Sequence, residues 1–135
     1  MTPIETVEEI YAAFEAKDLD RALELISEDC VIDQDGRLPY GGHYEGHEGA
    51  TAFMINLIGT IQSTVTQLAL FEADDYVWQY GRTAGTVVAN GAPFDIAEIH
   101  RWTVRDGRAV AAHFSIDTPA LLAAIEAPGG ADDHG

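Results

Sequence analysis

The sequence predicts an α+β fold in which helices come first and an antiparallel sheet follows. Three observations predict it. Apolar residues recur at three- and four-residue steps as far as Ile61, the period changes to two from about Thr64, and Asn90-Gly91 and Asp106-Gly107 punctuate the second half with strong hairpin signals. A two-residue type I′ turn needs positive φ at both central residues, which Asn, Asp and Gly tolerate best.

Each element has its own signature. Thr2, Pro3 and Glu5 open the first helix as N-cap, first helical residue and capping-box partner, and Ile4, Val7, Ile10, Tyr11 and Phe14 form its inward stripe. Asp18 caps a shorter helix carrying Leu19, Ala22, Leu23 and Ile26. Residues 30–35 read as a short strand, and LPYGGHYEGHEG reads as a loop by composition. A third helix presents Ala50, Phe53, Met54, Leu57, Ile58 and Ile61 on one broad face. After the meander, Thr118 and Pro119 start a final alanine-rich helix. The chain divides into one domain over residues 1–126 and a flexible acidic tail over 127–135.

With 135 residues, 47% hydrophobic and 22% charged, the chain is expected to bury one core unaided. Its 23 acidic against 7 basic residues give a formal charge of −16, a field that repels phosphate backbones and anionic lipid, so neither nucleic acid nor a membrane is an expected partner. No apolar run approaches the ~20 residues that cross a bilayer. Cys30 stands alone and the amino terminus lacks the layout of a secretion signal, so a cytoplasmic location is the expectation.

The stretch HRWTVRDGRAVAAHFSID holds the candidate chemistry. A two-residue turn at Asp106-Gly107 pairs His100 with His113, Glu98 with Ser115 and Ile96 with Asp117, and places Trp102 on the same face. Gln79, Gly81, Thr83 and Gly85 join that face across the Asn90-Gly91 turn, where the two glycines leave room. The other face carries Ile99, Phe114 and Ile116 and is the more apolar, which by itself makes it the core and leaves the histidines in water. Trp102, Ile96 and Val104 are too much apolar surface for a wet side, so both faces are expected to be covered. A bulge would exchange the two faces beyond it.

The order of elements, with VEEIYAAFEAKDLDRALELISEDC, YGGHYEGHEGATAF and TVRDGRAVAAHFSIDTPALL, resembles the NTF2-like superfamily, in particular its SnoaL-like and ketosteroid isomerase-like members. The resemblance covers about residues 4–125. It implies a cone, a curved antiparallel sheet wrapped around three helices with a C-terminal helix, holding a hydrophobic cavity. It also implies a homodimer through the convex sheet face, here Ile99, Phe114 and Ile116. Tyr11 matches the helix tyrosine that donates to a developing enolate, His100 falls where the isomerases carry a protonated aspartic acid, and Asp117 matches the aspartate that closes the last strand of the cyclases. Gln34 stands in place of the isomerase base, and an amide cannot abstract a proton.

On this resemblance Asp117, His100 and Tyr11 are the candidate catalytic residues, with Asp117 as base. Glu98, Trp102, His113, Ser115, Gln34, Phe14 and Phe53 line the pocket. Along a strand, four residues span about 13 Å, so a ring-sized molecule fits between His100 and Asp117. The implied activity is cofactor-independent acid/base chemistry, of isomerase or cyclase type, on a small apolar carbonyl compound. The alternative is a non-catalytic small-molecule-binding or dimerisation module of the same fold. Asp117 also sits where the final helix needs its cap, and His100 and His113 read equally as a buried pair steadied by Glu98. No metal is expected: His43 and His47 are four apart, but Gly46 argues against a helix presenting both, and HEGAT lacks the second histidine of HExxH.

Overall fold

The computed structural model describes residues 1–128. Helix α1 (Pro3–Ala16) begins with the expected capping box, Thr2 accepting from the Glu5 backbone N–H and Glu5 accepting from that of Thr2. It ends at Lys17 in the left-handed conformation, and Asp18 caps α2 (Leu19–Glu24). Strand β1 (Ile26–Gln34) leads to β2 (Gly42–Glu45), α3 (Gly46–Thr60) and the meander β3 (Ile61–Ala73), β4 (Tyr76–Val87), β5 (Pro93–Arg105) and β6 (Arg108–Ile116). Helix α4 (Thr118–Glu126) follows, and part of the expected 127–135 tail, residues 129–135, lies outside the described residues.

The six strands form one sheet in the order β2-β1-β6-β5-β4-β3, antiparallel throughout except where β1 runs parallel to β6. The meander is as expected, with Asp74, Asp75, Asp106 and Gly107 all at positive φ in the two tight turns. Two expectations are corrected. The glycine-rich stretch contains β2 and the start of α3, because Gly42 and Gly46, at positive φ, bend the chain into short paired structure. Ile58 is 50% exposed, because the last turns of α3 overhang the core that buries Ala50, Phe53 and Met54.

The sheet is strongly curled, with the helices against its concave face. Gly81 and Gly85 let β3 lie close against β4. A Cβ on Gly81 would lie 2.3 Å from the Thr66 carbonyl oxygen, and one on Gly85 would lie 1.9 Å from that of Gln62. The room expected of these glycines is therefore filled by the backbone of β3. Asn90, in the β4–β5 loop, donates its side-chain amide to the carbonyls of Ala124, Ile125 and Ala127, tying the end of α4 to the sheet.

The register of β5 on β6 decides what the cone contains. Arg105 pairs with Arg108 and Val104 with Ala109, as a two-residue turn requires, but Thr103 then pairs with Ala111. Val110 is the extra residue of a bulge, and beyond it every β6 side chain is on the opposite face from the one simple alternation assigns. Ala112 and Phe114 turn inward and are buried, while His113, Ser115 and Asp117 turn outward and are exposed.

Replacing Gly85 with alanine is expected to destabilise the fold by about 1–3 kcal/mol through the clash with β3. Replacing Gly36, where an added Cβ meets nothing within 4 Å, is expected to change stability by no more than about 0.5 kcal/mol. Urea denaturation of the two variants measures the contrast.

Candidate functional site

Four residues form one row across the concave face. Gln34 on β1 pairs with Phe114 on β6, Phe114 with His100 on β5, and His100 with Gln79 on β4. The next row on one side, Ile32, Ala112, Trp102 and Val77, is wholly apolar and buried. On the other side Glu98 pairs with Gly81, and Thr83 pairs with Ile96. The interior is thus a polar band within an apolar cone.

Helix α1 brings Tyr11 to this band. Its hydroxyl lies 2.6 Å from His100 Nδ1 and accepts from Trp102 Nε1 at 2.9 Å. The indole can only donate, and with Nε2 facing the Glu98 carboxyl group a neutral imidazole carries its proton there and accepts the tyrosine proton at Nδ1. Nε2 faces Glu98 Oε1 at 3.5 Å, and the Thr83 hydroxyl donates to that same oxygen. The chain therefore runs Trp102, Tyr11, His100, Glu98, closed by Thr83.

Burial sets the protonation of this chain. It pushes His100 down to about 3 and Glu98 up from its ordinary value, against the lowering effect of the Thr83 hydrogen bond. Removing charge from water is costly, so burial favours the neutral imidazole and shifts Glu98 towards its acid form. Desolvation also raises the phenols of Tyr11 and Tyr40, with Glu98 adding to both. Oε1 faces two donors, whereas Oε2 has no partner among the described residues.

Aromatic rings pack around this chain in the interior expected to hold a hydrophobic cavity. Phe114 lies 4.6 Å from the His100 ring, 5.4 Å from Trp102 and 5.5 Å from Phe53, while Phe14 meets Tyr11 edge-on at 6.3 Å. Two surface clefts, of about 530 and 250 Å³, lie elsewhere: Glu72, Tyr76 and Arg105 line one and Glu28, His47 and Arg108 the other.

Of the residues expected at the site, Tyr11, His100, Glu98, Trp102, Gln34, Phe14 and Phe53 are brought together. Asp117, His113 and Ser115 are not, because the Val110 bulge turns them to the convex side. Asp117 is exposed and accepts from the Ala120 backbone N–H as the N-cap of α4. The expected dimer face changes with it: Phe114 is buried and Ile116 half-buried, whereas Ile99 stays 47% exposed. Tyr40 and Phe114 enter the site unannounced. Tyr40 lies in a loop without periodicity, and Phe114 was assigned by a parity that the bulge reverses. His43 and His47 each have other partners: His43 bridges Asp33 and Glu45, and His47 meets the Ile26 carbonyl.

A curved, unclosed six-stranded sheet with helices against it and a polar band inside defines the NTF2-like α+β cone. Residues 7–112 match the model of the SnoaL-like domain, and the chain belongs to that family. An NTF2-like protein of unknown function from Burkholderia pseudomallei is 28% identical, with a TM-score of 0.84 over 94% of this chain and 100% of the other. TerC, crystallised with polyporic acid, is 25% identical at the same TM-score and the same shares. A protein with a ketosteroid isomerase-like fold from Catenulispora acidiphila, in complex with trimethylamine, shares the fold at 18% identity, with a TM-score of 0.79 over 96% and 98% of the two chains. No protein of curated function matches by sequence. No helix among the described residues is long and apolar enough to cross a membrane.

The buried acid predicts how stability depends on pH. Glu98 keeps its proton in the fold after the unfolded chain has lost it, so its stabilising effect is complete below its ordinary value of 4.5 and is lost as pH rises through the higher folded value. His100 acts in the other direction, its effect being lost as pH falls from 6.5 towards about 3. Urea melts across pH are expected to show both limbs in the natural protein and only the His100 limb in Glu98→Gln.

Proposed function

We propose that the protein is a cofactor-independent acid/base enzyme, of isomerase or cyclase type, acting on a small, mostly apolar carbonyl compound within the cone, and that Glu98 moves the proton. The observation that carries this reading is the state of Glu98: buried, raised in pKa, Oε1 engaged, Oε2 without a partner. A carboxyl group raised towards neutrality is well matched to general acid/base work. Ionised, Oε2 takes an α-proton, and the C–H electron pair becomes the double bond of an enolate. His100 Nε2–H, which faces Glu98 only at 3.5 Å, turns to donate to the developing oxygen charge while Tyr11 holds the ring through Nδ1, in a water-poor surround where such hydrogen bonds are strong. Returning the proton to another carbon gives an isomer; attack of the enolate carbon on a second carbonyl closes a ring. Asp117 has no part in this scheme.

Membership of the SnoaL-like family and the small ligands held by TerC and the Catenulispora protein support small-molecule binding. A second reading, a binding module without turnover, is favoured by Gln34, an amide where the isomerases have their base. Proton exchange separates the two. NMR of a bound aryl ketone in deuterated buffer is expected to show catalysed α-exchange, slowed ~10²–10⁴-fold by Glu98→Gln and unchanged by Asp117→Asn. Absence of catalysed exchange with every ketone that binds supports the module and removes the enzyme.

We further infer that two copies associate through the convex face. Ile99 and its cross-strand neighbour Tyr80 are 47% and 42% exposed, and Phe71 is 46% exposed, an apolar group larger than a lone surface residue. Sedimentation is expected to give a dimer for the natural protein and a monomer for Ile99→Glu.

A further inference from the structure

Asn90 is half-buried in the loop between β4 and β5, and its side chain reaches the end of α4. Its amide nitrogen lies 2.9 Å from the carbonyl oxygen of Ala124, 3.2 Å from that of Ile125 and 2.9 Å from that of Ala127. The last four carbonyls of a helix have no partner within it, and a side chain from elsewhere is one way to satisfy them. Helix α4 has no basic residue in its last turn, and its C-cap Ala127 is extended. Asn90 therefore supplies from outside what the helix lacks. Seated in this way, α4 buries Leu121 and holds Leu122 and Ile125 against the core.

The residue after Asn90 is Gly91, exposed and at φ 72°, where an added Cβ would meet nothing within 4 Å. With no side chain to crowd it, a glycine nitrogen attacks the carboxamide carbon of a preceding asparagine more readily than that of any other residue. While α4 is seated, every group in that reaction is engaged. The Gly91 N–H donates to the Val87 carbonyl at 2.8 Å, Asn90 Oδ1 accepts from the Ala92 N–H at 2.9 Å, and Asn90 Nδ2 is held by α4.

We propose that Asn90-Gly91 is a modification site, an intramolecular deamidation whose rate is set by the seating of α4. When α4 lifts, Nδ2 is released and the loop loses its anchor. The Gly91 nitrogen then forms a bond to Asn90 Cγ, the Cγ–Nδ2 bond breaks, and the Gly91 proton ends on the departing ammonia. Water opens the resulting five-membered imide at either carbonyl, leaving aspartate or isoaspartate in place of the asparagine. The new carboxylate has no N–H to give, and it brings negative charge to three carbonyl oxygens at the negative end of a helix. The clasp cannot re-form, so a transient opening of α4 becomes a permanent one. This site is separate from the chemistry proposed for the cone interior and does not rest on it.

The test holds the full chain at mildly alkaline pH and follows conversion of Asn90 by peptide mass spectrometry, with the same chain unfolded in urea as reference. The folded protein is expected to convert ~10-fold or more slowly than the reference, because only the opened population reacts. Asp117→Ala removes the N-cap of α4 and is expected to speed conversion ~5-fold. Asp18→Ala removes the N-cap of α2 and is expected to leave the rate unchanged. Equal rates for the folded and unfolded chains overturn the inference. So does a rate that Asp117→Ala leaves unchanged, or one that both cap substitutions raise alike, which marks opening of the whole chain. The consequence is read separately in Asn90→Asp by hydrogen exchange. Backbone amides of α4 are expected to exchange ~10-fold or more faster than in the natural protein, with those of β5 and β6 unchanged. Full protection of α4 in that variant overturns the clasp.

Discussion

One extra residue in β6, Val110, governs what the cone can do. Its insertion shifts the pairing so that Trp102 meets Ala112 and His100 meets Phe114. Strand side chains alternate strictly, so this single slip carries the rest of β6 with it. Phe114 becomes the aromatic floor against which His100 and Trp102 pack, and the polar side chains of His113, Ser115 and Asp117 go to the outside. Without the bulge the interior would contain two imidazoles and two carboxyl groups. With it, one imidazole and one carboxyl group share a largely apolar space.

That isolation accounts for the electrostatics. A carboxyl group with one neutral imidazole beside it and no basic side chain opposite has no counter-charge to hold it ionised, and burial drives it towards its acid form. The same low polarity presses His100 below its ordinary range and makes the Tyr11 hydroxyl a firm donor. Each group is restrained by a neighbour: Trp102 holds Tyr11, Tyr11 holds His100, and Thr83 holds Glu98. A site assembled from α1, β4 and β5 in this way depends on the curl of the sheet. At Gly81 and Gly85 the missing side chains let β3 lie close against β4.

Much of the fold was legible in the residues. The capping box at Thr2 and Glu5, the cap at Asp18 and the Asp-Gly turn act through bonds between residues a few positions apart, and such local chemistry can be read directly. The concave assignment of Gln79 and Thr83 also survives: the β4–β5 loop is longer than two residues, but the register moves by an even step and preserves the faces. The β5–β6 hairpin fails for the complementary reason, an odd step. One signal was available. Ala112, Phe114 and Ile116 are the apolar set of β6, and placing them opposite His100 and Trp102 requires a single bulge.

By itself, then, the sequence determined the class of fold, the helix starts, the turns and the presence of Tyr11, Glu98 and His100 as candidates, because these follow from short-range hydrogen bonding and from the spacing of apolar residues. Tertiary structure alone decided that Glu98 rather than Asp117 is the interior acid, that Tyr40 and Phe114 complete its surroundings, and that three polar atoms from separate strands lie within the cone without partners. The physical reason is that a bulge, a curled sheet and the desolvation of a carboxyl group are set by how distant segments meet, and the spacing of residues along the chain does not encode those meetings.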